Sequence, residues 1–345
     1  MSRLFSPLTL REFTFRNRIA MAPMCTYVAG DDGRANDTHL VHYGARALGG
    51  VGLIIMEAAS VVPRGRVSVR DIGLWDDSQI EPLRRVVRFC QAQGAAMAIQ
   101  LAHSGRKSWS NELGFGPEVV WAPSALPQGE GWATPYEMSK QDIVATVEAF
   151  RQGAQRALAA GFDMVEIHAA HGYLIHQFLS PVANKRTDDY GGPLKNRMRF
   201  LMEIIEAVRG VWPANKPLLM RVSVVDYCAE GLCTDDTVRI VRAVKPLGID
   251  MVDCSSGGIL TDKPERLGPG YQTPMAQAIR EGAGIATITV GSVTQAELAE
   301  EILLNERADM VALGRELLRH PNWPLAAARA LGEVGPWPAI YAAGK

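Results

Sequence analysis

The sequence places side chains capable of acid–base chemistry and hydrogen bonding directly after short apolar runs. His168 and His171 form an HxxH pattern, and Tyr173 follows it two residues later. Two neutral histidines side by side could donate hydrogen bonds to a carbonyl oxygen as negative charge develops on it. A neighbouring tyrosine could then supply a proton. The pattern therefore indicates a site that activates a carbonyl compound.

The same two histidines allow two other interpretations. Either of them could simply satisfy a polar group in a buried loop. As ligands of a metal ion, His168 and His171 would need a third and usually a fourth partner. The sequence contains no HExxH motif and no HxH pattern after its first apolar run. We therefore expect no metal site, and a metal-dependent barrel hydrolase stays only as an unfavoured alternative.

Two glycine-containing pairs late in the sequence indicate a bound anion. Gly291 and Ser292 follow the seventh apolar run, and Gly314 and Arg315 follow the eighth. Backbone N–H groups at such turns favour an anion, and an arginine adds a bidentate charge. Barrel enzymes bind phosphate after these two strands. The two pairs together predict a phosphorylated ligand.

The elements that must position these residues follow an alternating order of strand and helix. Each predicted strand is almost continuously apolar, as parallel strands covered on both faces are. The predicted strands are 18–23, 52–57, 96–101, 163–168, 217–222, 250–255, 286–291 and 309–314. The predicted helices are 79–93, 139–160, 196–211, 234–247, 275–281 and 295–305. Gly94, Gly161 and Gly248 each follow a helix and precede a strand, where a left-handed residue ends a helix.

Eight such units predict a single (β/α)₈ TIM barrel that spans residues 1–345. A doubly wound sheet is the alternative, but no GxGxxG motif follows the first strand. Residues 8–15 predict an N-terminal β-hairpin that plugs the bottom of the barrel. Residues 105–135, rich in Gly, Pro and Trp, predict an extended loop after the third strand, on the face where barrel active sites lie.

Composition excludes several classes of protein. The 345 residues carry 36 basic and 37 acidic side chains, for a net charge of −1, so we expect neither nucleic acid nor a membrane as a partner. The five cysteines contain no CxxC pair, which argues against a disulfide framework and a structural zinc site. The first residues lack the apolar segment of a signal peptide, so we expect a cytoplasmic enzyme.

Five motifs, taken in order along the chain, carry a resemblance to a known family. They are NRIAMAPMCTY at 17–27, QLAHSGRK at 100–107, HAAHGYLIHQFLSP at 168–181, NKRTDDYGG at 184–192 and GRELL at 314–318. Together they span nearly the whole chain. The sequence resembles the old yellow enzyme family of FMN-dependent ene-reductases, and specifically its thermophilic-like branch, which Cys25 marks.

The resemblance implies a barrel that holds FMN non-covalently. The cofactor-binding residues that it implies are Ala22, Pro23, Met24, Cys25, Ala58, Gln100, Arg221, Gly291, Ser292, Gly314 and Arg315. Among them, Gln100 and Arg221 would contact the flavin ring system, and the last four residues would hold the phosphate. Tyr27 resembles the tyrosine that binds the oxygen of the substrate.

The resemblance also implies a mechanism with two half-reactions. NADPH or NADH reduces FMN, and a hydride from flavin N5 then reaches the β-carbon of an α,β-unsaturated carbonyl compound. His168 and His171 bind the substrate oxygen, and Tyr173 protonates the α-carbon. Nitro compounds and nitrate esters are alternative substrates, and a flavin-binding protein without turnover is a further alternative. A homodimer or homotetramer is expected, although the C-terminal tail lacks the arginine with which some relatives reach a neighbouring site.

Overall fold

The eight predicted strands form a closed parallel barrel in the computed structural model, which describes residues 2–108, 119–261 and 267–344. The barrel strands, in their order around the barrel, are β3 (Ile19–Met21), β4 (Leu53–Ser60), β5 (Ala96–Ala102), β8 (Met164–Ala169), β9 (Leu218–Ser223), β10 (Met251–Ser255), β11 (Ala286–Thr289) and β12 (Met310–Leu313). Strand β12 pairs with β3 and closes the ring. The TIM-barrel prediction is confirmed, and the doubly wound alternative is wrong.

Eleven α-helices of four or more residues accompany the strands within the described ranges. They are α1 (Asp37–Leu48), α2 (Ile80–Ala92), α3 (Lys140–Ala160), α4 (Leu174–Leu179), α5 (Leu194–Arg197), α6 (Arg199–Arg209), α7 (Thr234–Val244), α8 (Thr273–Ala283), α9 (Ala296–Leu304), α10 (Arg315–Arg319) and α11 (Trp323–Ala330). The predicted helix 196–211 is split, because the chain turns at Met198 between α5 and α6. The six predicted helices are otherwise found within a few residues of their expected bounds.

The predicted helix ends have the expected backbone geometry. Ser139 accepts a hydrogen bond from the N–H of Asp142 and so caps α3. Gly94, Gly161 and Gly248 have φ values of +81°, +94° and +107°, so each is the left-handed residue that turns the chain from a helix toward the next strand.

The predicted N-terminal hairpin is also present. Strand β1 (Leu8–Leu10) pairs antiparallel with β2 (Phe13–Phe15). Phe15 is buried against the inward-facing side chains of the barrel, and Phe13 packs beside it. The hairpin therefore closes the end of the barrel at which the strands begin, and this leaves the opposite end for a site.

Two hydrophobic layers hold the barrel together. The outer layer lies between the strands and the helices and is the larger of the two. The inner layer fills the barrel and includes Leu53, Ala98, Met164, Leu219 and Met251. Because side chains of a regular strand alternate between its two faces, the residues two positions beyond Ala98, Met164, Leu219 and Met251 also point into the barrel.

The segment after the third strand is described only in part. Residues 105–107 form a single helical turn, and the short strands β6 (Trp121–Ala122) and β7 (Tyr136–Glu137) pair in parallel. Residues 109–118, which include Trp109 of the predicted extended loop, lie outside the described residues. No helix of the described residues is long and apolar enough to cross a bilayer.

Candidate active site

The end of β8 brings the HxxH pattern and Tyr173 together. The ring centroids of His168 and His171 lie 5.3 Å apart, and those of His168 and Tyr173 lie 4.9 Å apart. The ammonium of Lys107 lies 4.9 Å over the Tyr173 ring and donates a hydrogen bond to the carbonyl oxygen of His171 at 2.8 Å. The structure thus groups three predicted catalytic side chains at the mouth of the barrel.

The surrounding hydrogen bonds indicate which nitrogen of each histidine carries its proton. His168 Nδ1 accepts from the N–H of Ala170, so its proton lies on Nε2. His171 Nε2 lies 2.7 Å from Ser255 Oγ, and Gln272 donates to the same hydroxyl oxygen at 3.4 Å. The Ser255 hydroxyl can donate to His171 Nε2, and in this arrangement the proton of His171 lies on Nδ1. Each ring then has one N–H available for a ligand.

Both histidines are neutral at ordinary pH. Burial lowers the pKa of each far below its usual value, and the positive charge of Arg221 lowers both further. The N–H of a neutral imidazole can donate a hydrogen bond to a substrate oxygen without placing a full positive charge beside it. Burial raises the pKa of Tyr173, with smaller contributions from Cys25 and Asp71, so its phenol keeps the proton until a stronger base takes it.

The loop after β3 carries Cys25 and Tyr27 beside this group. Burial and the charges of Asp71 and Glu57 raise the pKa of the Cys25 thiol, and its side chain hydrogen-bonds that of Tyr27. Cys25 is therefore a neutral thiol and not a nucleophilic thiolate. Burial also raises the pKa of Tyr27, and Cys25 and Tyr173 lie close enough to contribute.

A buried carboxylate holds the same loop in place. Glu57 accepts hydrogen bonds from the backbone N–H of Thr26 at 2.9 Å, from the Thr26 hydroxyl at 2.8 Å and from the Tyr43 hydroxyl at 2.9 Å. Glu57 belongs to β4 and Tyr43 to α1, so the loop is tied to two neighbouring elements. Glu57 was not predicted, because a single acid within an apolar run gives no indication of its partner.

Three of the predicted flavin-contacting residues come from the barrel strands β4, β5 and β9. Ala58 pairs with Gln100 in the register of β4 and β5, just after a bulge at residues 56–58. Arg221 of β9 pairs with His168 of β8. Both Gln100 and Arg221 are buried, with exposures of 2% and 6%. The barrel therefore presents a buried guanidinium group level with His168 and a buried amide on β5, the strand next to that of His168.

The two glycine-containing pairs line a cavity of about 390 Å³ next to Arg221. Its wall includes all four predicted phosphate-binding residues, Gly291, Ser292, Gly314 and Arg315, together with Ser255, Tyr271 and Gln272. The Gln272 side-chain oxygen is buried and has no hydrogen-bond partner among the described residues. Gly291 has φ = +120°, and a Cβ there would lie 2.8 Å from the Tyr271 ring. The cavity is polar and built around a residue that must be glycine.

Backbone strain is concentrated around this mouth. Six non-glycine residues of the described chain have positive φ, and three of them are site residues: Tyr27 (+54°), His171 (+60°) and Ser292 (+53°). Left-handed backbone at a non-glycine residue persists only where surrounding contacts impose it, and it is frequent at functional sites. His171 is held by the Ser223 hydroxyl, which accepts from its backbone N–H at 2.9 Å.

Several residues of the site were not found from the sequence. Ser223 and Ser255 end β9 and β10, and both hydrogen-bond His171. The same strand-end test that singled out His168 would have found them. Gln272 and Tyr271 precede α8 and gave no such indication. Among the described residues, no three His, Cys, Asp or Glu side chains are grouped so as to hold a metal ion.

Comparisons with known proteins identify the family. A profile of the NADH:flavin oxidoreductase / NADH oxidase family matches residues 3–333. The chain belongs to this family. It is therefore a flavin oxidoreductase, its family cofactor is FMN, and the resemblance to old yellow enzymes is confirmed.

Individual relatives agree with this assignment. The chain is 52% identical over 332 residues to an NADPH dehydrogenase of Geobacillus thermodenitrificans, covering 95% of this chain and 94% of that protein. The structure of morphinone reductase is 30% identical with a TM-score of 0.80, over 97% of this chain and 91% of that one. A 2-naphthoyl-CoA reductase complex has a TM-score of 0.89 at 25% identity, and this chain matches about half of it, 52%.

Proposed function

We propose that the chain is an NAD(P)H-dependent ene-reductase that binds FMN across the mouth of the barrel and reduces activated alkenes. The observation that carries the proposal is the placement of His168, His171 and Tyr173 next to the glycine-lined cavity and Arg221. When bound, FMN supplies the redox chemistry by taking a hydride from a nicotinamide and passing it to the β-carbon of the alkene.

The residues present suit FMN along its whole length. The cavity of Gly291, Ser292, Gly314 and Arg315 suits the phosphate, since turns rich in N–H groups and a guanidinium favour an anion. Gln100 and Arg221 suit the polar edge of the ring, where an amide offers both a donor and an acceptor and a cation favours negative charge. Ala22, Pro23, Met24, Cys25 and Ala58 would line the ring.

His168 and His171 would bind the substrate oxygen. Their free N–H groups, on Nε2 of His168 and Nδ1 of His171, lie on rings that meet edge to face. Negative charge moves onto a carbonyl oxygen as the β-carbon accepts a hydride, so donors fixed in advance lower the barrier to this step. Tyr27, on the opposite loop, would contact the same ligand.

Tyr173 would then give its proton to the α-carbon. Its phenol remains protonated, because burial raises its pKa. The nearby ammonium of Lys107 stabilises the tyrosinate that remains, and solvent can restore the proton because the side chain lies at the mouth.

NADPH is the reductant that we favour, because the Geobacillus relative is named an NADPH dehydrogenase. Alkene reduction is favoured over reduction of nitro compounds or nitrate esters, because a pair of donors above a proton source suits conjugated carbonyl compounds. A homodimer or homotetramer remains our expectation for the assembly.

The proposal is tested by anaerobic turnover of the FMN-loaded chain with NADPH and cyclohexenone. We expect loss of NADPH and loss of the alkene in equal amounts. His168→Ala and His171→Ala should each weaken binding of a phenol to the oxidised protein and slow alkene loss. A preparation that does not take up FMN, or a double variant with unchanged alkene turnover, contradicts the proposal.

A further inference from the structure

Two buried acids lie inside the barrel beside the residues proposed to contact the flavin. Glu166 of β8 and Asp253 of β10 are both 0% exposed, and Arg221 lies on the strand between them. The Arg221 Nε atom lies 3.0 Å from Asp253 Oδ2. Gln100 Nε2 donates to Glu166 Oε1 at 2.7 Å. Each acid thus touches one of the two polar side chains proposed to face the flavin.

The acids are incompletely satisfied by the protein. Glu166 Oε2 and both oxygens of Asp253 have no hydrogen-bond partner among the described residues, apart from the ion pair of Asp253. The hydrophobic inner layer of the barrel includes Ala22, Ile55, Ala98 and Ile288. The titratable groups that face the pair within the described chain are Arg221 and the neutral His168.

The charges of this cluster do not balance if both acids are ionised. Two carboxylates and one guanidinium would leave one uncompensated negative charge in an apolar interior, which is costly. One bound proton brings the sum to zero. Asp253 is paired with Arg221, so the proton belongs on Glu166, whose one hydrogen bond is to a neutral amide.

We propose that Glu166 and Asp253 are positioning residues that set the reduction potential of the flavin through Gln100 and Arg221, with one exchangeable proton held on Glu166. This inference rests on the proposed function, because it requires FMN at the mouth of the barrel. Glu166 fixes the orientation of the Gln100 amide, and Asp253 offsets the charge of Arg221. Neither acid touches the ligand itself.

The proton on Glu166 links the potential to pH. Burial, together with the charge of Asp253, raises the pKa of Glu166 to about 8. Reduction by two electrons and one proton adds one negative charge beside Gln100 and Arg221, which strengthens proton binding by Glu166. Below pH 8 Glu166 is protonated in both states, so reduction takes up no further proton there. Between pH 8 and the higher pKa that Glu166 has in the reduced state, reduction draws one additional proton from solvent onto the Glu166 carboxylate, and the potential falls more steeply with pH.

The test is anaerobic titration of the FMN-loaded chain with dithionite and a reference dye, from about pH 6 to about pH 9. Glu166→Gln keeps the hydrogen bond acceptor for Gln100 and resembles the protonated acid. We therefore expect the flavin potential of the variant to match that of the parent below the break, which is the pH at which the potential of the parent begins to fall more steeply. One pH unit above the break, the reduced form should be favoured about tenfold more in E166Q than in the parent. A carboxylic-acid band in infrared difference spectra should be present in the parent and absent in E166Q.

Two further variants complete the experiment. Asp253→Asn leaves Glu166 as the only counter-charge of Arg221 and removes the negative charge that raises the pKa of Glu166. The break in the potential curve of this variant should therefore lie at a lower pH than in the parent. Thr287→Val is the matched control. Like the two acids, Thr287 is buried in the barrel wall and has an unpartnered side-chain oxygen. Its side chain points away from the barrel interior, because the neighbouring Ile288 points into it. Its potential should follow the parent at every pH.

The outcomes separate this inference from the proposed function. Failure of the parent chain to bind FMN overturns the proposed function and, with it, this inference. Bound FMN with superimposable potential curves for the parent and E166Q overturns this inference alone.

Discussion

Tyr173 is the residue on which the proposed proton transfer depends. We expect Tyr173→Phe to slow alkene reduction by about a hundredfold or more, because general acid catalysis contributes factors of this size. Reduction of the flavin by NADPH should be unchanged, since no proton from Tyr173 is needed there. Stopped-flow measurement of the two half-reactions checks this.

The matched control for this variant is Tyr136→Phe, which removes the hydroxyl of an exposed tyrosine of β7. It should leave both half-reactions unchanged. Equal slowing of the two half-reactions in Tyr173→Phe would indicate a damaged site instead of a lost proton donor.

At the residue scale, the sequence allowed a prediction of the proposed reactive groups but not of the residues that hold them in place. His168, His171 and Tyr173 were recognisable because they follow an apolar run in close succession. Glu166 and Asp253 were not, because an acid inside an apolar run reveals its inward direction only once the strand register is known. Ser255 lies at the recognisable end of a strand, but its hydrogen bond with His171 cannot be predicted from either segment of sequence.

At the element scale, the turn after β11 gives a direct test of the phosphate site. Gly291→Ala places a Cβ 2.8 Å from the Tyr271 ring in a backbone conformation, φ = +120°, that side chains rarely adopt. Left-handed strain of this kind costs roughly 1–2 kcal/mol. We therefore expect the dissociation constant of FMN to rise about tenfold or more, as measured by fluorescence titration.

Gly268→Ala is the control for this substitution. Nothing lies within 4 Å of a Cβ at Gly268, and its φ is not in the strained range. FMN affinity should be the same as in the parent chain. Unchanged affinity in Gly291→Ala would contradict the assignment of this turn to the phosphate.

The strands were easier to predict than the helices. Parallel strands covered on both faces are recognisable from continuous apolar runs, and all eight were found. Helix α1 was missed because its buried face carries His39, Tyr43, Gly44 and Arg46, which do not form an apolar stripe. Its role is visible only in three dimensions, where Tyr43 reaches Glu57.

At the scale of the whole molecule, buried neutral histidines make the fold sensitive to acid. Burial, with the charge of Arg64, lowers the pKa of His103 from 6.5 to about 3. Between these values the unfolded chain binds a proton that the folded chain does not, so the free energy of unfolding falls as pH falls below 6.5. The loss is roughly 1.4 kcal/mol per histidine for each pH unit.

His103→Asn should remove this share of the acid sensitivity. The asparagine oxygen can replace His103 Nδ1 as acceptor for the N–H of Gly105. Between about pH 7 and about pH 5.5, the free energy of unfolding measured with urea should fall by roughly 1.4 kcal/mol less in the variant than in the parent. His320→Asn, at an exposed histidine, is the control and should behave as the parent does.

Single-turnover reoxidation tests the central claim most directly. The FMN-loaded chain is reduced anaerobically with one equivalent of NADPH and then mixed with cyclohexenone in the absence of oxygen. The proposed function predicts that flavin absorbance returns fully, with one saturated ketone formed for each flavin. Flavin that stays reduced until air is admitted, with the enone unchanged, would contradict it.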